Sequence, residues 1–170
     1  ESELLWQVNT ALSCGAKGIQ YFNYWHPYEI QGNNAGFVGK DGTKLYLYEY
    51  GVKANRQIAA VDEILMKSAN LGVIQAGESP DEIPAEAKLT SFRSLTGVSG
   101  GDALIGCFDY RGKTAFYVTA NSLTQTCTVT LHFSDSVTAK IIVNAVNSEK
   151  TGGSLTLTLA PGEGGLIVID

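Results

Sequence analysis

The sequence predicts an α+β chain, a helix-strand-helix unit followed by an antiparallel β-sandwich. Three observations predict it. Leu4, Leu5, Val8, Ala11 and Leu12, and later Tyr46, Tyr50, Ala54, Ile58, Val61, Ile64 and Leu65, recur every three or four residues, the period of a helix with one apolar face. Between them, Gly18 to Trp25 is a short apolar and aromatic run set between glycine and Pro27, the make-up of a buried strand. From residue 88 onward, short segments alternate apolar and polar residues and are separated by turn pairs, as strands packed on one side require.

Each element has its own local reason. The first helix runs from Ser2 to Cys14, with Ser2 as a possible N-cap and Gly15 as a C-terminal stop. The strand Gly18 to Trp25 follows and ends in Phe22, Asn23, Tyr24, Trp25 and His26, aromatic and polar groups gathered at one end like the wall of a sugar site. Residues 26 to 42 form a loop rich in Gly and Asn, with Asp41-Gly42 as a tight-turn signal. A long helix covers Tyr46 to Met66, weakened at Gly51 by about 1 kcal/mol against alanine. Helix, strand, long loop and helix make the last part of a β/α repeat, whose ligands bind beyond the strand's C-terminal end. The strand has no evident upstream partner, so the chain reads as the C-terminal part of something larger.

A polar stretch, Gly77-Glu78-Ser79-Pro80-Asp81-Glu82-Ile83-Pro84, marks residues 77–87 as a linker between a first unit at 1–76 and a second at 88–170. In the second unit, strand character covers Leu89 to Ser94, Ala103 to Tyr110, Thr114 to Asn121, Cys127 to Phe133, Ala139 to Asn144, Ser154 to Leu159 and Gly165 to Ile169. Arg111-Gly112, Gly152-Gly153 and Pro161-Gly162 are the turns between some of them. Cys127, Val129, Leu131 and Phe133 alternate with Thr128, Thr130 and His132, one face for a core and one for water. About seven such strands in one short unit predict the sandwich.

Composition excludes several classes. The chain has 170 residues, 44% hydrophobic and 17% charged, which suits a folded domain rather than a disordered one. A net charge of -5 gives no electrostatic footprint for nucleic acid or an anionic membrane surface. No apolar run approaches the roughly 20 residues that span a bilayer. The three cysteines, Cys14, Cys107 and Cys127, form no metal-binding cluster, so no metal and no cofactor is expected. Cys107 and Cys127 lie on strands of one unit, where a disulfide and a pair of small buried thiols are both open. Two distant histidines support no Ser/His/Asp or Cys/His arrangement, and the glycines at 97–101 precede neither a helix nor a lysine, as a phosphate loop requires.

Leu5 to Trp25, together with Gly36-Phe37-Val38-Gly39-Lys40-Asp41-Gly42, resembles the end of the TIM barrel in glycoside hydrolases of the β-galactosidase-related type. The shared order is a helix ending in Cys14-Gly15-Ala16-Lys17-Gly18, a last strand Ile19-Gln20-Tyr21-Phe22, an aromatic loop, and a closing helix with Tyr48-Glu49-Tyr50 and Asn55. Leu104-Ile105-Gly106 and Pro161-Gly162-Glu163-Gly164-Gly165-Leu166-Ile167 are similar to the β-sandwich that often follows such barrels. The resemblance implies that residues 1–76 are the C-terminal end of a (β/α)8 barrel. It also implies a retaining mechanism with two carboxylates about 5 Å apart. In that family these sit at the ends of the fourth and seventh strands, and this chain begins after the seventh. No catalytic residue is therefore expected, and the polypeptide alone is expected to be inactive. Its implied partners are a β-linked, galactoside-like carbohydrate and either the remainder of the barrel or a second copy.

The candidate substrate-binding residues are Phe22, Tyr24, Trp25 and Glu29. Sugars present apolar faces edged by hydroxyls, so their sites combine an aromatic platform with directional polar groups. The resemblance implies that an aromatic at Phe22 lines the sugar site and that an acidic residue at Glu29 binds hydroxyls. The family's basic residue just after the strand is replaced by Tyr24-Trp25-His26. Plainer readings stand beside these. In a regular strand Phe22 and Tyr24 share one face while Asn23 and Trp25 share the other, so they do not all face one pocket. The plainer reading is preferred for Glu29 as a solvated loop residue, for His26 as a turn residue and for Glu3 as a charge complementing a helix N-terminus.

Overall fold

The computed structural model describes residues 1–25, 36–78 and 83–170. Two helices, α1 (Ser2–Ser13) and α2 (Tyr46–Met66), precede seven strands: β1 (Ser68–Ala76), β2 (Leu95–Gly100), β3 (Ala103–Tyr110), β4 (Lys113–Ala120), β5 (Cys127–Val143), β6 (Val146–Leu159) and β7 (Gly164–Ile169). The strands form one antiparallel sheet in the order β1-β3-β4-β7-β5-β2, with β6 paired to β5.

The sheet curls into a half-barrel because β5 is long enough to take two neighbours in succession along one edge. The first half of β5 pairs with β2, through Leu95 opposite Phe133 and Gly100 opposite Val129. Its second half pairs with β7, through Ala139 opposite Ile169 and Val143 opposite Gly165. A register shift against β6 between His132 and Val137 marks the change of neighbour. Such irregularities bend a strand and increase its twist.

Alternation then decides what is buried on each side. Ile105, Phe116, Val118, Val129, Leu131, Leu155, Leu157 and Ile167 point into the curl and form the inner core. Phe108, Tyr117, Leu166 and Val168 point outward and are covered by Leu5, Val8 and Leu12 of α1 with Ala54, Val61 and Leu65 of α2. Strands β3, β4 and β7 are thus covered on both faces, which is why their sequences are near-continuous apolar runs. Each fully buried Leu, Ile or Phe in these cores stabilises the fold by about 1.5–3 kcal/mol.

A buried polar network fixes α1 on the sheet. Asn9 Nδ2 donates to the Gly162 carbonyl at 2.9 Å, the Tyr117 hydroxyl donates to Asn9 Oδ1 at 2.8 Å, and Thr119 Oγ1 donates to the Asn9 carbonyl at 3.0 Å. Ser13 Oγ adds bonds to the Tyr117 carbonyl and to Thr119 Oγ1. The close approach needs glycine in the sheet: a Cβ on Gly106 would lie 2.1 Å from the Ser13 carbonyl oxygen. Burial raises the Tyr117 hydroxyl far above its ordinary pKa, and the nearby Glu163 carboxylate adds to the effect.

Several sequence expectations are corrected. The expected fold, a barrel-end helix-strand-helix unit followed by a two-sheet sandwich, is replaced by two helices on a single curled antiparallel sheet of seven strands. No strand forms over Gly18 to Trp25; its ladder is reduced to one isolated parallel bridge between Trp25 and Val38. A strand exists only where a neighbour supplies a ladder, and here the chain meets just that short stretch. Leu89 to Ser94 also fails to form a strand, because the chain turns on Arg93 at φ 53 before entering β2. Ser68–Ala76 and Leu95–Gly100, not expected as strands, occupy the two ends of the sheet order. The segments expected at Cys127 to Phe133 and Ala139 to Asn144 are one continuous strand. Helix α1 begins at Ser2 itself and has no side-chain cap, whereas Gly15 does adopt the left-handed stop at φ 90. Cys107 and Cys127 are free, buried thiols.

Candidate saccharide-contact surface

The segment after α1 is held at its start by a cation on a helix end. The Lys17 ammonium donates to the carbonyl of Leu65, in the last turn of α2, and to that of Ser68, the first residue of β1. Ile19 and Tyr21 then lean on the apolar face that the helices share with the sheet. The Tyr21 hydroxyl donates to Asn55 Oδ1 of α2 at 3.0 Å, and its ring meets Phe37 edge to face at 5.2 Å. Partial burial raises the Tyr21 pKa, which keeps this donor protonated.

Phe37 in turn rests on Gly51, where an added Cβ would lie 2.6 Å from the ring. The glycine that weakens α2 in isolation is therefore the notch that admits this ring. The Phe37 and Val38 amides both donate to the Tyr24 carbonyl, at 3.0 and 2.9 Å, and the Leu45 amide donates to the Phe37 carbonyl at 2.9 Å. The turn below is closed by Asp41, whose Oδ1 accepts from the Thr43 amide and hydroxyl; these bonds hold the Asp41 carboxyl below its usual range.

This scaffold leaves Phe22, Tyr24 and Trp25 projecting into solvent, with 94%, 64% and 44% of their surfaces exposed. Two hollows flank the segment. One, of about 330 Å³, lies against α1 and includes Gln7, Gln20, Phe22 and Asn23. The other, of about 410 Å³, lies against α2 and includes Tyr21, Tyr24, Phe37, Tyr48 and Asn55. Their sizes sit at the lower end of the range for small-ligand sites. Among the described residues, aromatic rings, aliphatic side chains and uncharged amides line them, and no carboxylate does. The arrangement suits contact with a neutral, hydroxylated ring.

The sequence-predicted residues are thus partly separated. Phe22 belongs to the first hollow, Tyr24 to the second, and Trp25 lines neither but is bridged to Val38 beside them. Glu29 and His26 lie outside the described residues. Tyr21, Phe37 and Tyr48 enter the sequence reading within the motifs that carry the resemblance but not as candidate site residues, although a glycine inside a helical pattern was a signal that another group approaches closely there. Phe108, Phe116, Tyr117 and Phe133 are all buried in the two cores, so these aromatics offer no platform on the sheet. Among the described residues no group of three or more His, Cys, Asp or Glu side chains is placed to hold a metal, and no helix is long and apolar enough to cross a membrane.

No protein family and no curated protein matches this sequence.

Proposed function

We propose that this chain is a non-catalytic part of a glycoside hydrolase acting on β-linked, galactoside-like carbohydrate, and that the segment around Phe22, Tyr24 and Trp25 contributes saccharide contacts. The observation that carries the reading is the exposure of these three aromatics beside hollows edged by Gln20, Asn23 and Asn55. Exposed rings next to uncharged hydrogen-bonding groups are what a pyranose face and its hydroxyls require. The likeness of Leu5 to Trp25 and of residues 36–42 to β-galactosidase-related enzymes supports the substrate class.

The test is calorimetric titration with methyl β-galactoside and β-galacto-oligosaccharides, with aryl β-galactosides assayed for turnover in parallel. Saturable binding that weakens about two- to tenfold in Tyr24→Ala, the equivalent of one lost aromatic contact, is the expected result, with no hydrolysis. Hydrolysis abolished by Trp25→Ala would overturn it. A second reading draws on the same exposure: Phe22, Tyr24, Tyr46 and Val52 place apolar surface in water, and such patches mark association sites. Light scattering that shows a dimer dispersed by Phe22→Ser and Tyr24→Ser together would favour an interface over a sugar site.

A further inference from the structure

A larger hollow, of about 760 Å³, opens on another face of α1, where Trp6, Thr10 and Cys14 repeat every four residues and form one wall. Leu104 and Val73, both nearly or fully buried, lie at its sheet side, and the connections around Pro84 and Asn121 close it. We infer that this hollow binds an uncharged ring compound carrying a hydrogen-bond acceptor, such as a neutral saccharide or aryl alcohol.

Three observations lead there. Among the described residues lining the hollow none is an Asp, Glu, Lys, Arg or His, so against this wall an ionised ligand would leave water without a counter-charge. The Trp6 indole N–H donates to Asn121 Oδ1 at 2.9 Å, across 115 residues of sequence, which locks the ring as a wall. Because the Asn121 oxygen is engaged, its NH2 group remains the donor for a ligand acceptor. The hollow is also not a vacant sheet edge: Val73 on β1 already donates to the Ala87 carbonyl and accepts from the Leu89 amide, both at 2.8 Å. A strand from a partner has no open ladder at Val73, whereas a small molecule needs none. The volume lies within the range of small-ligand pockets.

The site shares no residue with the surface around Tyr24, so each reading fails or stands alone. The chain has two tryptophans, and Trp25→Phe leaves Trp6 as the sole reporter. Cys14 is the one exposed cysteine, so alkylation by iodoacetamide reads the same wall independently. Methyl β-galactoside and benzyl alcohol are titrated as neutral saccharide and aryl probes, with benzoate and benzylammonium as charged controls of similar size. The expected result is a saturable change in Trp6 emission with at least one neutral probe, at least threefold protection of Cys14 by that probe, and neither effect with the charged pair. Asn121→Ala should weaken the effective probe about fivefold or more, and circular dichroism verifies that this variant folds. If Asn121→Ala unfolds, the Cys14 protection pattern in the unaltered chain decides. No response to either neutral probe, or an equal response to the charged controls, overturns the inference.

Discussion

Asn9 on α1 is the point at which the helix layer is most open to attack. It is 1% exposed and holds three partners, the Gly162 carbonyl, the Tyr117 hydroxyl and Thr119 Oγ1, the last through its backbone carbonyl. Asn9→Ala keeps the backbone bond but orphans the other two buried groups. Each buried group left without a partner costs about 1–3 kcal/mol, and alanine's better helix propensity returns only about 0.7 kcal/mol. The net loss is about 1–5 kcal/mol, or roughly 3–15 °C in Tm for a chain of this size. Tyr117→Phe removes one side of the same contact and should cost about 1–3 kcal/mol. Because both variants break one bond, the double variant should be less destabilised than the sum, by about 0.5–3 kcal/mol. Urea unfolding followed by circular dichroism measures all three.

The same contact predicts a pH effect. Burial raises the folded-state pKa of Tyr117, whereas an unfolded tyrosine ionises near pH 10, so above about pH 10 the unfolded chain binds fewer protons. Stability therefore falls as pH rises through that point, by up to about 1.4 kcal/mol per pH unit, and Tyr117→Phe should flatten this limb. Strict additivity in the double variant, together with an unchanged alkaline limb, would refute the network as the anchor of α1.

Other tests address the turns, the notch and the thiols. Asn144 and Ala145 form the two-residue turn between β5 and β6 with φ of 51 and 60, so Ala145→Gly should raise Tm by about 1–4 °C. Asn144→Gly should give no such gain, because Asn144 Oδ1 accepts from Gln57 Nε2 at 3.2 Å. Gly51→Ala should lower Tm, although helix propensity alone predicts a gain of about 1 kcal/mol, because the new methyl would sit against Phe37; a rise in Tm would refute the notch. Cys107 is fully buried, and its thiol is pushed up to about 12, so it contributes a loss of stability as pH climbs from about 9 toward 12. Cys107→Ala should remove that component in alkaline urea titrations, at the cost of a small packing defect at neutral pH.

What the sequence determined alone is what depends on neighbours along the chain. Helix α2 was legible over Tyr46–Met66 and β3 over Ala103–Tyr110, since each rests on a local pattern of apolar residues, with Arg111-Gly112 as the turn that ends β3. The aromatic cluster at Phe22, Tyr24 and Trp25 was likewise visible as composition. Tertiary structure decided everything that needs a distant partner. Gly18 to Trp25 has strand composition but no ladder, whereas Ser68–Ala76, with a register shift between Asn70 and Gly72, becomes a strand because β3 lies beside it. Cys127 to Phe133 and Ala139 to Asn144 read as two strands, yet β5 runs through the residues between them and changes partners from β2 to β7. Alternation does not reveal which of two sheet faces a residue takes, so the assignment of Phe116 to the inner core and Tyr117 to the helix layer came only from the curl. The grouping of Tyr21, Phe37 and Asn55 came from the same source, for hydrogen bonds and ring contacts across tens of residues leave no periodic trace in the chain.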